Sequence, residues 1–124
     1  MKNYTDFADL AHVFLEDSYV LAIDETSVSL AFELDLVLTP SHPRYHEPRS
    51  GEQHCYVDAV LTVSGATKTD WVTRSTQTFH DATGEEDLGN IDSFRYQDGY
   101  YEITGDWGRV RVFSTAEPKL NINE

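Results

Sequence analysis

The residues best able to do chemistry crowd one short stretch, Ser41-His42-Pro43-Arg44-Tyr45-His46-Glu47, with His54-Cys55 close behind. Three of the five histidines and the only cysteine fall between positions 42 and 55. Imidazole and thiolate are strong transition-metal ligands, so a loop folding His42, His46, His54 and Cys55 together would suit Zn²⁺. Zinc with an open coordination position activates water, which gives His42, His46 and His54 a hydrolase reading as well. Against both, the spacing matches no zinc signature. Strand alternation also turns Cys55 inward, where a lone cysteine acts as a small apolar filler. The plain alternative is a polar loop stiffened by Pro40, Pro43 and Pro48.

A second cluster, Asp81-Ala82-Thr83-Gly84-Glu85-Glu86-Asp87 with Asp92 downstream, offers oxygen ligands of the kind Ca²⁺ takes. An EF-hand loop starting at Asp81 would need glycine where Glu86 stands and glutamate where Asp92 stands. A solvated acidic loop is the better reading. Two carboxylates could also serve as the acid and base of a glycosidase, but the sequence singles out no pair among its 22 acids. It contains no G-x-S-x-G elbow, no phosphate-cradling glycine loop and no H-E-x-x-H, which points away from an enzyme. Trp71, Tyr96, Tyr100, Tyr101, Trp107 and Phe113 give the second half an aromatic excess. Alternation leaves some outside, where Tyr and Trp favour interfaces, while others pack across a pleat.

The elements that position these residues follow from two periodicities. Residues 5–17 read as a helix: Thr5 caps it, and Phe7, Leu10, Ala11, Phe14 and Leu15 form one apolar stripe. From Tyr19 the period becomes two. Tyr19 to Asp24 is a short strand, and Glu25-Thr26 a turn. Val28, Leu30, Phe32, Leu34, Leu36 and Leu38 then alternate with a mostly wet face. Cys55 to Val63, Thr69 to Phe79, Ile91 to Tyr96, Tyr100 to Thr104 and Arg109 to Ser114 complete about seven strands. Asp98-Gly99 marks a hairpin because both residues tolerate positive φ. Residues 115–124 read as a short tail. Short late turns imply antiparallel neighbours, so the expected fold is α+β and mainly β. The expected architecture is a sandwich or strongly curled sheet with the helix over one opening, an open sheet under the helix being the runner-up. Arg109 and Arg111 share a face and are expected to offset Glu33 and Asp35 across the sheet.

Length and composition bound the rest. A chain of 124 residues makes one domain, here 1–124, and at 40% hydrophobic and 25% charged it is an ordinary globular composition. The formal net charge of −13 argues against nucleic acid, whose phosphates need a basic footprint. A single cysteine forms no internal disulfide, and no apolar run approaches the ~20 residues that span a bilayer. The expectation is a cytoplasmic protein with no membrane partner and no cofactor beyond the Zn²⁺ reading.

The stretches Gly51-Glu52-Gln53-His54-Cys55-Tyr56, Gly89-Asn90-Ile91-Asp92-Ser93-Phe94 and Gly105-Asp106-Trp107-Gly108 resemble segments of small acidic bacterial proteins of unassigned function, over about Thr39 to Ser114. In size and charge the chain also resembles immunity proteins, which neutralise toxins by tight binding. That resemblance implies a protein partner and carries over no catalytic residue. Charge points the same way. Through Leu38 the chain holds Asp6, Asp9, Glu16, Asp17, Asp24, Glu25, Glu33 and Asp35 against Lys2 alone. Such a field speeds encounter with cationic partners. The expected function is a non-catalytic module for a basic protein, with Glu33, Asp35, Glu85, Glu86 and Asp87 as contact residues. The alternative is the metal-binding or hydrolytic histidine loop, and an acidic surface that serves only solubility is the bland counterpart of both.

Overall fold

The computed structural model describes residues 1–80 and 84–123. Asp81, Ala82 and Thr83 of the Ca²⁺-like cluster therefore lie outside the described residues. Strand β1 (Lys2–Asn3) leads into three 3₁₀ turns, Tyr4–Asp6, Ala8–Leu10 and Leu15–Asp17. There follow β2 (Tyr19–Glu25), β3 (Leu30–Leu38), β4 (Cys55–Val63) and β5 (Lys68–Arg74). The short pair β6 (Phe79–His80) and β7 (Glu86–Asp87) precedes β8 (Ile91–Gln97), β9 (Tyr100–Gly105), β10 (Gly108–Phe113) and β11 (Lys119–Ile122).

All strand pairs are antiparallel, in a sheet ordered β1-β8-β9-β10-β5, a sheet ordered β11-β4-β3-β2, and the β6-β7 ribbon. Alternation along β3 buries Leu30, Phe32, Leu34, Leu36 and Leu38 on one face. Phe94, Ile103, Val110 and Val112 of the larger sheet join them in a single core cluster. Phe32 meets Trp107 there, with ring centres 5.2 Å apart. Two sheets sharing one apolar interior make a layered β architecture. Asp98 (φ 54°) and Gly99 (φ 84°) both take positive φ between β8 and β9, as a two-residue hairpin of this twist requires. No helix among the described residues is long and apolar enough to cross a membrane.

Several expectations are corrected. There is no N-terminal helix over 5–17. The buried residues there are Phe7, Leu10, Val13 and Leu15, and Leu10 and Leu15 sit in separate 3₁₀ turns of three residues each. Extended backbone at Phe7 and Phe14 separates the turns, and Phe14 is exposed. The competitor is the end of β3: Val13 bridges Leu38, Phe14 N donates to Val37 O, and Thr39 N donates to His12 O. Amides spent on a neighbouring strand are lost to a helix ladder. Thr5 is no cap either; its hydroxyl accepts from Asn3 Nδ2, while Asn3 N donates to Asp6 Oδ2.

The tail is not loose, because Lys119–Ile122 adds β11 to the edge of β4. The strand expected over Thr69 to Phe79 stops at Arg74, and β3 begins at Leu30, leaving Val28 exposed in the turn. Arg109 and Arg111 do not answer Glu33 and Asp35. Both reach Glu102 on β9, Arg109 Nη2 at 3.3 Å and Arg111 Nε at 3.0 Å. The register sets Arg111 directly opposite Glu102, so the nearer carboxylate takes both cations.

Candidate functional site

The outer face of the four-stranded sheet carries the polar half of each strand. In β3 the inward leucines leave Glu33 and Asp35 outward, and the ladder aligns Tyr19, Asp35 and Asp58 in one row across β2, β3 and β4. Beside them Tyr56 stacks on Tyr19, with ring centres 6.2 Å apart and planes 29° from parallel. Burial pushes the Tyr56 phenol up to about 12, aided by Tyr19 and by the negative charges of Asp35 and Asp17. This tyrosine pair and Leu21 floor a cleft of about 750 Å³.

Its walls come from elsewhere in the chain. Gly51, Glu52 and Gln53 form one side, and Phe79, His80, Glu85, Asp87, Gly89, Asn90 and Asp106 the other. Hydrogen bonds hold the second wall in place. Asp87 Oδ1 accepts from Gly89 N at 2.8 Å, and Asp106 Oδ2 accepts from Asn90 N at 3.0 Å. Asn90 Nδ2 donates to Ser18 O, and Asn90 O accepts from Trp107 Nε1. The wall also joins β2: Val20 N donates to Gly89 O, and Leu88 N donates to Val20 O. Gly89 sits at φ +95°, where a side chain is strained and a Cβ would collide with the Asp106 carboxylate.

Five carboxylates, on Asp35, Glu52, Glu85, Asp87 and Asp106, line this cleft, and no Lys or Arg lies among its described lining residues. Glu52 Oε1 is shut off from solvent without a hydrogen-bond partner. Tyr19 and Phe79 are among the few large apolar side chains left exposed. At the rim, His54 Nε2 lies 3.3 Å from Asp17 Oδ2, and its ring meets Tyr56 edge-on. Carboxylates beside aromatic faces attract cations by charge and by ring quadrupole together.

The histidine loop is dispersed by comparison. His42 lies beside His12 and Arg44, and its Nδ1 accepts from Arg44 N at 3.0 Å. Burial holds its pKa below the ordinary imidazole value, and the neighbouring His12 and Arg44 lower it further. His46 N donates to the Sγ of Cys55, a core residue, while its own ring bonds Glu47 O. His54 faces Asp17 instead. Among the described residues no group of three or more His, Cys, Asp or Glu side chains could hold a metal ion.

Of the acids expected to contact a partner, Asp35, Glu85 and Asp87 converge on the cleft, whereas Glu33 and Glu86 are not among its lining residues. Tyr19, Tyr56, Glu52, Asn90 and Asp106 were not anticipated. The outward phase of Tyr19 and Tyr56 next to Asp35 is the one sequence signal that points to them. Comparison with protein-family models, with curated proteins and with solved structures finds no match to this chain.

Proposed function

We propose that this chain is a non-catalytic binding module that engages a basic protein through the Tyr19–Tyr56 cleft, in the manner of an immunity or antitoxin protein. The observation that carries the reading is the composition of the cleft: five carboxylates and exposed aromatic surface, with no Lys or Arg among the described lining residues. Interfaces favour exposed aromatics, and a focused field of one sign raises the rate of encounter with the opposite sign. A chain whose one cysteine is free and buried suits the cytoplasm.

The test is capture of the partner by the purified chain at low and high salt, followed by association kinetics with that partner. One dominant basic protein is expected, with association slowing as salt rises. Asp35→Lys and Asp87→Lys should each weaken it while leaving the melting curve cooperative. A partner indifferent to both salt and charge reversal overturns the proposal.

A further inference from the structure

The outer faces of the two sheets carry opposite charge. On the larger sheet the register turns Lys68, Arg95, Arg109 and Arg111 outward, four of the chain's nine Lys and Arg. They stand against Asp70 and Glu102, with Asp92 at the margin beside the β8 bulge. On the four-stranded sheet the outward positions hold Asp24, Glu33, Asp35 and Asp58 against Lys119 alone. None of these residues is buried, so both faces lie open. A chain of formal net charge −13 has thus gathered much of its scarce positive charge on one side.

The faces are complementary in relief as well. The basic face raises the Tyr100 and Phe113 rings, centres 5.2 Å apart, with Arg111 and Lys68 beside them. The acidic face sets the small side chains of Ala22, Ala31 and Val60 among its carboxylates. Packed β-layers seat large side chains against small ones, and opposite charges at contact fix orientation. Two such chains repel at long range through their net charge. At about 0.15 M salt, however, screening beyond about 8 Å leaves the charges at the contact to decide.

We infer that the chain associates with a second copy of itself by stacking these faces, the larger sheet of one molecule on the four-stranded sheet of the next. Each copy supplies both halves of the contact, whereas an acidic partner of another kind would use the basic face and leave the acidic one unmatched. The contact joins two different surfaces, so it is heterologous, and every added copy presents one face of each kind for the next. Of the residues named, only Asp35 lines the cleft, so the stack stands apart from the binding-module reading.

The test follows the mass of the purified chain by sedimentation as its concentration is raised to about 1 mM, near the Kd of a weak contact, in about 0.15 M salt. The mass should climb above that of one chain and return to it in about 1 M salt. Amide chemical shifts of the unaltered chain should move with concentration on both faces, around Arg109 and around Asp58. Arg109→Glu and Asp58→Lys should each weaken association by about tenfold while the melting curve stays cooperative. Mixed, the two variants should associate again, because the first keeps its acidic face and the second its basic face. Arg109→Lys, which keeps the charge, should associate like the parent. A single-chain mass at every concentration, association that strengthens in high salt, or shifts confined to one face overturns the stack. So does a charge-reversed variant that associates as well as the parent, or a mixture that stays apart.

Discussion

Asp35 on β3 stands directly opposite Asp58 on β4 in the antiparallel ladder. Two like charges in register destabilise a sheet, and this pair lies on the face that carries the cleft. Asp58→Thr, which swaps the exposed carboxylate for a strand-favouring residue, should stabilise the fold by about 0.5 kcal/mol. The melting temperature should rise by about 2 °C in low salt, and the gain should shrink as salt screens the repulsion. A melting temperature that is unchanged or lower in dilute buffer would show that the register carries no electrostatic cost.

The centre of the molecule has the opposite character. Phe32 is fully buried against Trp107. Phe32→Ala should cost about 3–5 kcal/mol in urea unfolding, because it removes transfer free energy and leaves a cavity. Phe32→Ser adds a buried hydroxyl and should be worse still. That loss is comparable to the whole stability of an ordinary domain, so a Phe32→Ser chain that melts like the parent would refute this packing.

Gly89→Ala tests the cleft wall. The added methyl meets Asp106 at a backbone angle that disfavours any side chain. A loss of about 1–3 kcal/mol is expected, together with loss of binding in the cleft. Retained stability with intact binding would mean that the bonds from Asp106 and Asn90 do not shape the wall.

The surface pair Asp24 and Glu33 should leave a pH signature. A side-chain hydrogen bond to Asp24, reinforced by its charge, holds the Glu33 carboxyl above the ordinary carboxylate range. A group whose pKa is raised on folding adds stability below its unfolded value and loses it as pH climbs through the folded value. This contribution therefore fades toward neutrality, opposite to the usual salt-bridged carboxylate. Glu33→Gln, whose amide can donate to Asp24 at any pH, should melt above the parent at neutral pH, with the gap closing on acidification. Melting curves between about pH 4 and pH 8 decide it; a constant gap across that range contradicts the shared proton.

Strand alternation made β3, β4 and the late hairpins legible in the sequence, because a one-sided apolar face leaves one workable register. The N-terminal segment misled. Apolar residues at 7, 10, 11, 14 and 15 fit a helix, yet spacing alone cannot reveal that the end of β3 would claim Val13, Phe14 and Thr39. Edge strand β11 was hidden by Pro118 and by polar neighbours. Part of the cleft could be anticipated, since Asp35, Glu85 and Asp87 stood out as acids in exposed positions. Glu52, Asn90 and Asp106 could not, because they come from separate turns and are brought together only by the pairing of distant strands.

The cleft wall has a second consequence. An uncovered strand edge is a template on which another chain can polymerise. Leu88 and Gly89 occupy the free rim of β2 through their two bonds to Val20, and the Asp9 carboxylate accepts Leu120 N on the rim of β11. The wall that faces a ligand is thus also a guard against fibre-like self-association. A partner that pried it outward would leave β2 open to any extended peptide nearby, so recognition and colloidal safety depend on the same pair of backbone hydrogen bonds.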